Sequence, residues 1–371
     1  MTNPTISPLM PIIQKEIVEK GAITVADYMA LALGHPEHGY YMRENPFGRK
    51  GDFVTAPEIS QIFGELIGAW CAEVWLQTGG GDLQLVELGP GRGTLMSDIL
   101  RATASVPGFH DSLCITMVET SESLKNIQKS ALMEAHSRIY WQNDIEDLPR
   151  MPAIFLANEF FDALPIRQFI KTDGGLKEKM VTMDLDDPDR LVFTIQEMGL
   201  TLVKGGDYSD DGSVTETCPA ARIVMQQICD HLRVHGGAGL AIDYGYTGGS
   251  AGNTLQAVRD HGFYPVLETP GKADITAHVD FDNLAEIATE SGLRVFDVVP
   301  QGAFLMKLGA EIRAEIVTRN ASEAQAEEVY SGLERLISPS EMGELFKALS
   351  FTSYEGITLA GFNPIDGEED T

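Results

Sequence analysis

The segment Leu83-Gln84-Leu85-Val86-Glu87-Leu88-Gly89-Pro90-Gly91-Arg92-Gly93-Thr94 constrains the fold more than any other part of the chain. An apolar run of strand length ends in glycines at alternate positions and passes directly into a helix-forming stretch. Glycines let the backbone approach a ligand's polar groups where side chains would collide. From Leu83 onward, short apolar runs alternate with helical stretches, which predicts βαβ units and a parallel sheet. Strands are expected near 83–88, 114–119, 138–142, 153–158 and 238–243, and the fold class is α/β.

The spacing in the loop bears on the ligand. A dinucleotide fingerprint reads G-x-G-x-x-G, and the position of its third glycine here is Thr94, so S-adenosylmethionine is favoured over a nicotinamide dinucleotide. An ordinary βα turn is the alternative. The loop candidates are Glu87, Gly89, Pro90, Gly91 and Gly93. The second expected strand ends at Glu119, whose carboxylate can accept both hydroxyls of a ribose. The third ends near Asn143-Asp144-Ile145, where a carboxylate and an apolar neighbour suit an adenine amino group and face. Any one acidic residue after a strand also serves as a helix cap or a solvated turn. The convergence of three elements on one crevice favours binding.

The second informative segment is Pro152 to Pro165, with Asn158 and Glu159 delivered by a buried strand to the same edge and Phe160 and Phe161 able to wall a pocket. Methyl transfer is an in-line displacement at a sulfonium, so the protein's part is to desolvate, align and steady the nucleophile. Carboxylates suit a cationic nitrogen, and a paired carboxylate fixes the planar fork of an arginine guanidinium. Glu159 is the first choice for this role and Asp162 the second. In the alternative reading Asn158 and Asp162 cap a following helix and the phenylalanines fill core. Substrate-side candidates are Asp52, Phe53 and Glu58 in the loop 51–58, Phe160, Tyr244 after the fifth strand, and His278. Asp274, His278 and Asp280 lie in one segment without a distant ligand partner, so no metal is expected.

The rest of the chain frames this centre. Residues 1–80 read as an N-terminal helical cap: two helices between 8 and about 33, the second capped by Thr24, then an apolar helix through Ile62, Phe63, Leu66, Ile67 and Trp70. Residues 81–165 and 236–308 form the expected cofactor-binding core, with two strands in 294–308 finishing the sheet. Residues 166–235 form an inserted substrate-side subdomain of antiparallel strands between the fourth and fifth strands. Residues 309–371 are expected to be helical, with Ser338-Pro339-Ser340-Glu341 as a capping box and a frayed acidic tail.

The 27 basic and 55 acidic residues give a net charge of −28. That charge repels phosphate backbones and anionic membranes, which argues against nucleic acid as a partner, and it can attract a basic protein segment. The four cysteines form no C-x-x-C pair. The N-terminus has neither an export nor an import pattern and no run is long enough to span a membrane, so a cytoplasmic location is expected.

Taken together with Gly51-Asp52-Phe53, Thr55, Pro57-Glu58-Ile59-Ser60, Asp162-Ala163-Leu164-Pro165 and Thr276-Ala277-His278-Val279-Asp280-Phe281, these motifs make the chain resemble the MidA family from His35-Pro36 to about Phe304. The resemblance implies a Rossmann-like class I methyltransferase that uses S-adenosyl-L-methionine and releases S-adenosyl-L-homocysteine. The family's eukaryotic member symmetrically dimethylates an arginine on a core subunit of respiratory complex I and assists its assembly. Carried over, Gly89, Gly91 and Gly93 correspond to the cofactor loop, and Asn158, Glu159 and Asp162 to the segment facing substrate. The absence of an import segment makes the chain look like a bacterial member. Two other readings are a non-catalytic complex I assembly factor that docks a basic subunit, and a nicotinamide-dependent oxidoreductase, against which Thr94 weighs.

Overall fold

The computed structural model describes residues 7–42, 54–146, 148–173, 175–197, 212–249 and 251–363. They divide into two compact units, one of Met1–Phe53, Asp162–Arg222 and Tyr246–Asp280, the other of Val54–Phe161, Ile223–Gly245 and Phe281–Thr371.

The second unit is built on a sheet of β1 (Leu83–Leu88), β2 (Leu113–Val118), β3 (Ile139–Gln142), β4 (Ala153–Asn158), β5 (Gly237–Tyr246) and β6 (Phe346–Thr352). Their order is β3-β2-β1-β4-β5-β6. The first five are mutually parallel and β6 runs antiparallel to β5. Parallel strands covered by helices on both faces read as nearly unbroken apolar runs, and every residue of β1 is buried. The order reverses beside β1, which places a switch point at its carboxyl end.

Helices α1 (Ala56–Ile59), α2 (Gln61–Gln77), α3 (Thr94–Thr103) and α4 (Glu122–Leu132) belong to this unit. The core joins Ile62, Phe63 and Trp70 of α2 to Leu85, Ile115, Ile154, Leu240 and Ala348 of the sheet. Buried Glu65 of α2 accepts from Arg101 of α3 at 2.6 Å and from Arg313 at 2.5 Å. Burial works to raise its carboxyl, and the two guanidiniums overcome this and hold it below its ordinary value.

In the first unit, helices Met10–Lys20 and Val25–Gly34 are separated by Thr24, whose hydroxyl accepts from the Asp27 N–H while Asp27 accepts from the Thr24 N–H, a capping box. The meander expected in the insertion is present as Arg167–Thr172, Gly175–Met183 and Leu191–Glu197, joined by Val214–Thr217 and by Ile23–Thr24, all in antiparallel pairs. A smaller antiparallel sheet comprises Gln256–Arg259, Gly262–Phe263 and Asp274–Thr276. Leu9, Ile13, Ile17, Tyr28, Val181 and Ile275 share this unit's core.

At the C-terminal side the structure agrees with the sequence reading in part. The stretch 294–308 forms the two short strands Arg294–Val295 and Val299–Pro300, and a helix at Gln301–Lys307 takes up the rest of it. Both short strands pair antiparallel with β6 at the edge of the sheet, as expected, but β6 itself, which lies between them and β5, falls in a region read as helical. Its sequence Phe346-Lys347-Ala348-Leu349-Ser350-Phe351-Thr352 lacks the alternation that marks a half-exposed strand because nearly all of it is buried. Ser338 is the C-cap of the helix Glu323–Ile337, so the capping box read at Ser338–Glu341 is absent. No described helix is long and apolar enough to cross a membrane.

Candidate active site

At the carboxyl edge of the second unit's sheet, hydrogen bonding continues one residue beyond three strands. The backbone N–H of Gly89 donates to Val118, that of Glu119 to Gln142 and that of Glu159 to Ile242, at 3.0, 2.9 and 2.9 Å. The ladder therefore holds the glycine loop, the acidic end of β2 and the Asn158-Glu159 pair at one edge.

Gly89, Gly91 and Gly93 all have left-handed backbones, with φ of 59°, 53° and 82°. A Cβ on Gly89 would lie 3.0 Å from the Phe160 ring, whereas one on Gly93 would make only ordinary contact with Leu132 and Gln128. Gly93 is the N-cap of α3, so the helix's first N–H groups open toward the loop. The loop is also held from α1. Thr94 Oγ1 donates to Glu58 Oε1 at 2.5 Å, and Arg92 Nη1 is 3.7 Å from Glu58 Oε2. Glu58, expected on the substrate side, thus lies against the glycine loop.

Glu119 is buried, accepting from the Ser121 N–H at 2.8 Å through Oε1 and from Gln128 Nε2 at 3.2 Å through Oε2. Burial raises its carboxyl against the opposing pull of these bonds. Asn143 and Asp144 are exposed just beyond β3, Asn143 accepting from Lys125 Nζ at 2.7 Å and Asp144 from the Glu146 N–H at 3.0 Å.

Glu87, next to last in β1, is 3% exposed and its Oε2 has no hydrogen-bond partner among the described residues. Burial pushes its carboxyl up to about 8 from the ordinary 4.5. Between those values the folded chain keeps a proton that the unfolded chain has released. Stability therefore falls as pH rises through this window, by at most about 1.4 kcal/mol per pH unit. In thermal unfolding between pH 6 and 9 without ligand, Glu87→Gln is expected to flatten the decline seen for the wild type. Equal slopes would mean that Glu87 is ionised in the folded protein.

These features fit S-adenosylmethionine: an open glycine turn, a buried carboxylate at the end of β2, and a buried carboxyl in β1 beside the loop. Gln128 was not singled out from sequence. Its signal is a polar residue on the apolar stripe Leu124, Gln128, Leu132 of α4, visible only once that stripe is known to be buried.

Glu159 has a left-handed backbone, φ 49°, which is uncommon outside glycine and is found where structure over-determines a functional turn. Its Oε1 accepts from the Ala56 N–H at 2.8 Å, an orphan donor at the start of α1, and from Asn158 Nδ2 at 3.2 Å. Asn158 Oδ1 is buried without a partner among the described residues. The Phe160 and Phe161 rings meet edge to face at 5.3 Å. No helix follows β4, since residues 159–166 are turns leading to a strand, so Asn158 and Asp162 are not helix caps.

The remaining candidates are dispersed. The Tyr244 ring lies in the second unit's core against Phe346. Asp162 belongs to the first unit, buried, with its carbonyl accepting from the Ala277 N–H at 3.0 Å. In the same unit the His278 N–H donates to Thr254 Oγ1 at 2.9 Å, and burial lowers the imidazole. Asp52 and Phe53 lie outside the described residues. Among the described residues no group of three or more His, Cys, Asp or Glu is placed to hold a metal.

Comparison with known proteins agrees with the cofactor chemistry. The family model for S-adenosyl-L-methionine-dependent methyltransferases matches residues 66–299. The mitochondrial protein arginine methyltransferase NDUFAF7 of Danio rerio is 37% identical over 359 residues, covering 90% of this chain and 84% of its own. That of Homo sapiens is 33% identical over 377 residues, covering 95% and 85%. A candidate methyl transferase from Burkholderia thailandensis, bound to S-adenosyl-homocysteine, superposes with a TM-score of 0.84 at 27% identity, covering 97% of this chain and 96% of that one. With the β3-β2-β1-β4-β5 order and the glycine loop at its switch point, these matches make the chain a Rossmann-like member of the MidA-type family of S-adenosylmethionine-dependent methyltransferases.

Proposed function

We propose that the protein is an arginine N-methyltransferase acting on a core subunit of respiratory complex I, carrying the side chain to symmetric dimethylarginine in support of that complex's assembly. The observation that carries this reading is the fixed Glu159 carboxylate, held by Ala56 and Asn158 at the sheet edge that carries the glycine loop. Relatives named as protein arginine methyltransferases support the substrate class. The net charge of −28 suits a basic protein segment and disfavours nucleic acid.

When bound, S-adenosylmethionine supplies a methyl group on a sulfonium. Gly89, Pro90, Gly91 and Gly93 would hold its polar groups, Glu119 its ribose, and Asn143 and Asp144 its adenine. Glu159 pairs with the guanidinium fork and orients the nitrogen that is to be alkylated. Asn158 keeps the carboxylate from rotating by donating to Oε1. Phe160 and Phe161 exclude water, which strengthens the ion pair.

The test is incubation of the purified protein and methyl-labelled S-adenosylmethionine with extract of cells lacking its gene, followed by mass spectrometry of the labelled protein. Label as symmetric dimethylarginine on a complex I subunit is expected. Label on another residue type would refute the substrate class, and association with the subunit without label would favour the docking factor.

A further inference from the structure

Gln128 of α4 is fully buried, and its side-chain amide reaches three separate segments of the second unit. Nε2 donates to the carbonyl of Gly91 at 2.8 Å and to Glu119 Oε2 at 3.2 Å. Oε1 accepts from the indole Nε1 of Trp141 at 2.8 Å, on β3 two residues before Asn143. The chemistry of the partners fixes the amide's orientation. A carbonyl and a carboxylate only accept and an indole N–H only donates, so a flipped amide would lose all three bonds. The Gln128 stem also lies beside the loop, 3.6 Å from where a Cβ on Gly93 would stand, an ordinary contact distance.

We propose that Gln128 is a positioning residue for the cofactor. It ties the glycine loop, the β2 carboxylate and the end of β3 into one arrangement, so that the segments facing the methionine, ribose and adenine parts are ordered together before binding. An arrangement set in advance avoids the ordering cost at the moment of association. Loss of the amide would then weaken binding of the whole cofactor without altering the transfer step. The inference rests on the reading of Glu119 as the ribose acceptor.

The experiment measures affinity for S-adenosyl-homocysteine by calorimetry, and kcat and KM on the protein substrate, for wild type, Gln128→Glu, Gln128→Leu and Trp141→Phe, with Glu119→Ala as reference. Gln128→Leu removes the bonds at similar volume. Gln128→Glu also sets a carboxylate against Glu119 and the Gly91 carbonyl. Gln128→Leu is expected to raise Kd about 10-fold and Gln128→Glu more, each with a matching rise in KM for S-adenosylmethionine and little change in kcat or in KM for the protein substrate. Trp141→Phe, which spares the Gln128 donors, keeps the test open if a Gln128 variant does not fold, and is expected to raise Kd about 3-fold. A weakened Glu119→Ala beside unchanged Gln128→Leu and Trp141→Phe would overturn the role of Gln128. Unchanged affinity in Glu119→Ala would overturn the ribose reading itself. A fall in kcat at saturating cofactor equal to the fall in kcat/KM would place Gln128 in the chemistry and overturn the positioning role.

Discussion

Glu159→Gln is expected to lower kcat by about 100- to 1,000-fold, the range for removal of one preorganised electrostatic group from an active site. Affinity for S-adenosyl-homocysteine should stay within about 3-fold, because the change leaves the cofactor loop intact. Gln preserves the volume and an oxygen that can accept from Ala56 and Asn158, so the strained turn at φ 49° keeps its support. What is lost is the full negative charge that holds a guanidinium. Single-turnover methylation with saturating cofactor measures this directly. Turnover within about 3-fold of wild type would remove Glu159 from the reaction and pass its role to another carboxylate.

Gly89→Val is expected to weaken cofactor binding by at least about 100-fold, for two reasons that add. A left-handed backbone costs a non-glycine residue about 1–2 kcal/mol, more with a branched Cβ. Here the added Cβ would also stand 3.0 Å from the Phe160 ring, so the loop or the ring beside Glu159 must give by a few tenths of an ångström, and the branched methyls of valine add to the crowding. Gly79→Val provides the control. Gly79 has φ 86° and open space where its Cβ would be, so the variant carries backbone strain without touching the site. Titration with S-adenosyl-homocysteine should separate them, with Gly79→Val near wild type and Gly89→Val without measurable binding. Equal losses would show that the effect comes from general destabilisation.

Much of the fold was legible in the sequence. The apolar runs of β1, β2, β4 and β5 are buried on both faces, so covering helices impose little alternation and the runs identify themselves. The Thr24 cap was equally legible, because it depends on residues three apart. The loop glycines announced themselves because no other residue tolerates positive φ at three alternate positions so readily. The positions of Glu119 and Glu159 at the sheet edge were legible because strand ends can be counted.

The tertiary structure alone decided the rest, in each case because the meaning of a residue came from a partner far away in the chain. Phe346–Thr352 becomes a sheet strand by pairing with Gly237–Tyr246, more than a hundred positions earlier, and with the short strands at 294–300, and no local period records those pairings. Tyr244 turned inward once Phe346 covered it. Glu58 was expected on the substrate side until Thr94 and Arg92 of the glycine loop were seen to meet it. Gln128 is the clearest case. On its helix it is one polar residue in an apolar stripe, and only the convergence of Gly91, Glu119 and Trp141 from three other segments satisfies all its hydrogen bonds. Hydrophobic periodicity is a local property that a sequence carries openly, whereas the partner of a buried polar group is a non-local one that appears only when the chain has closed on itself.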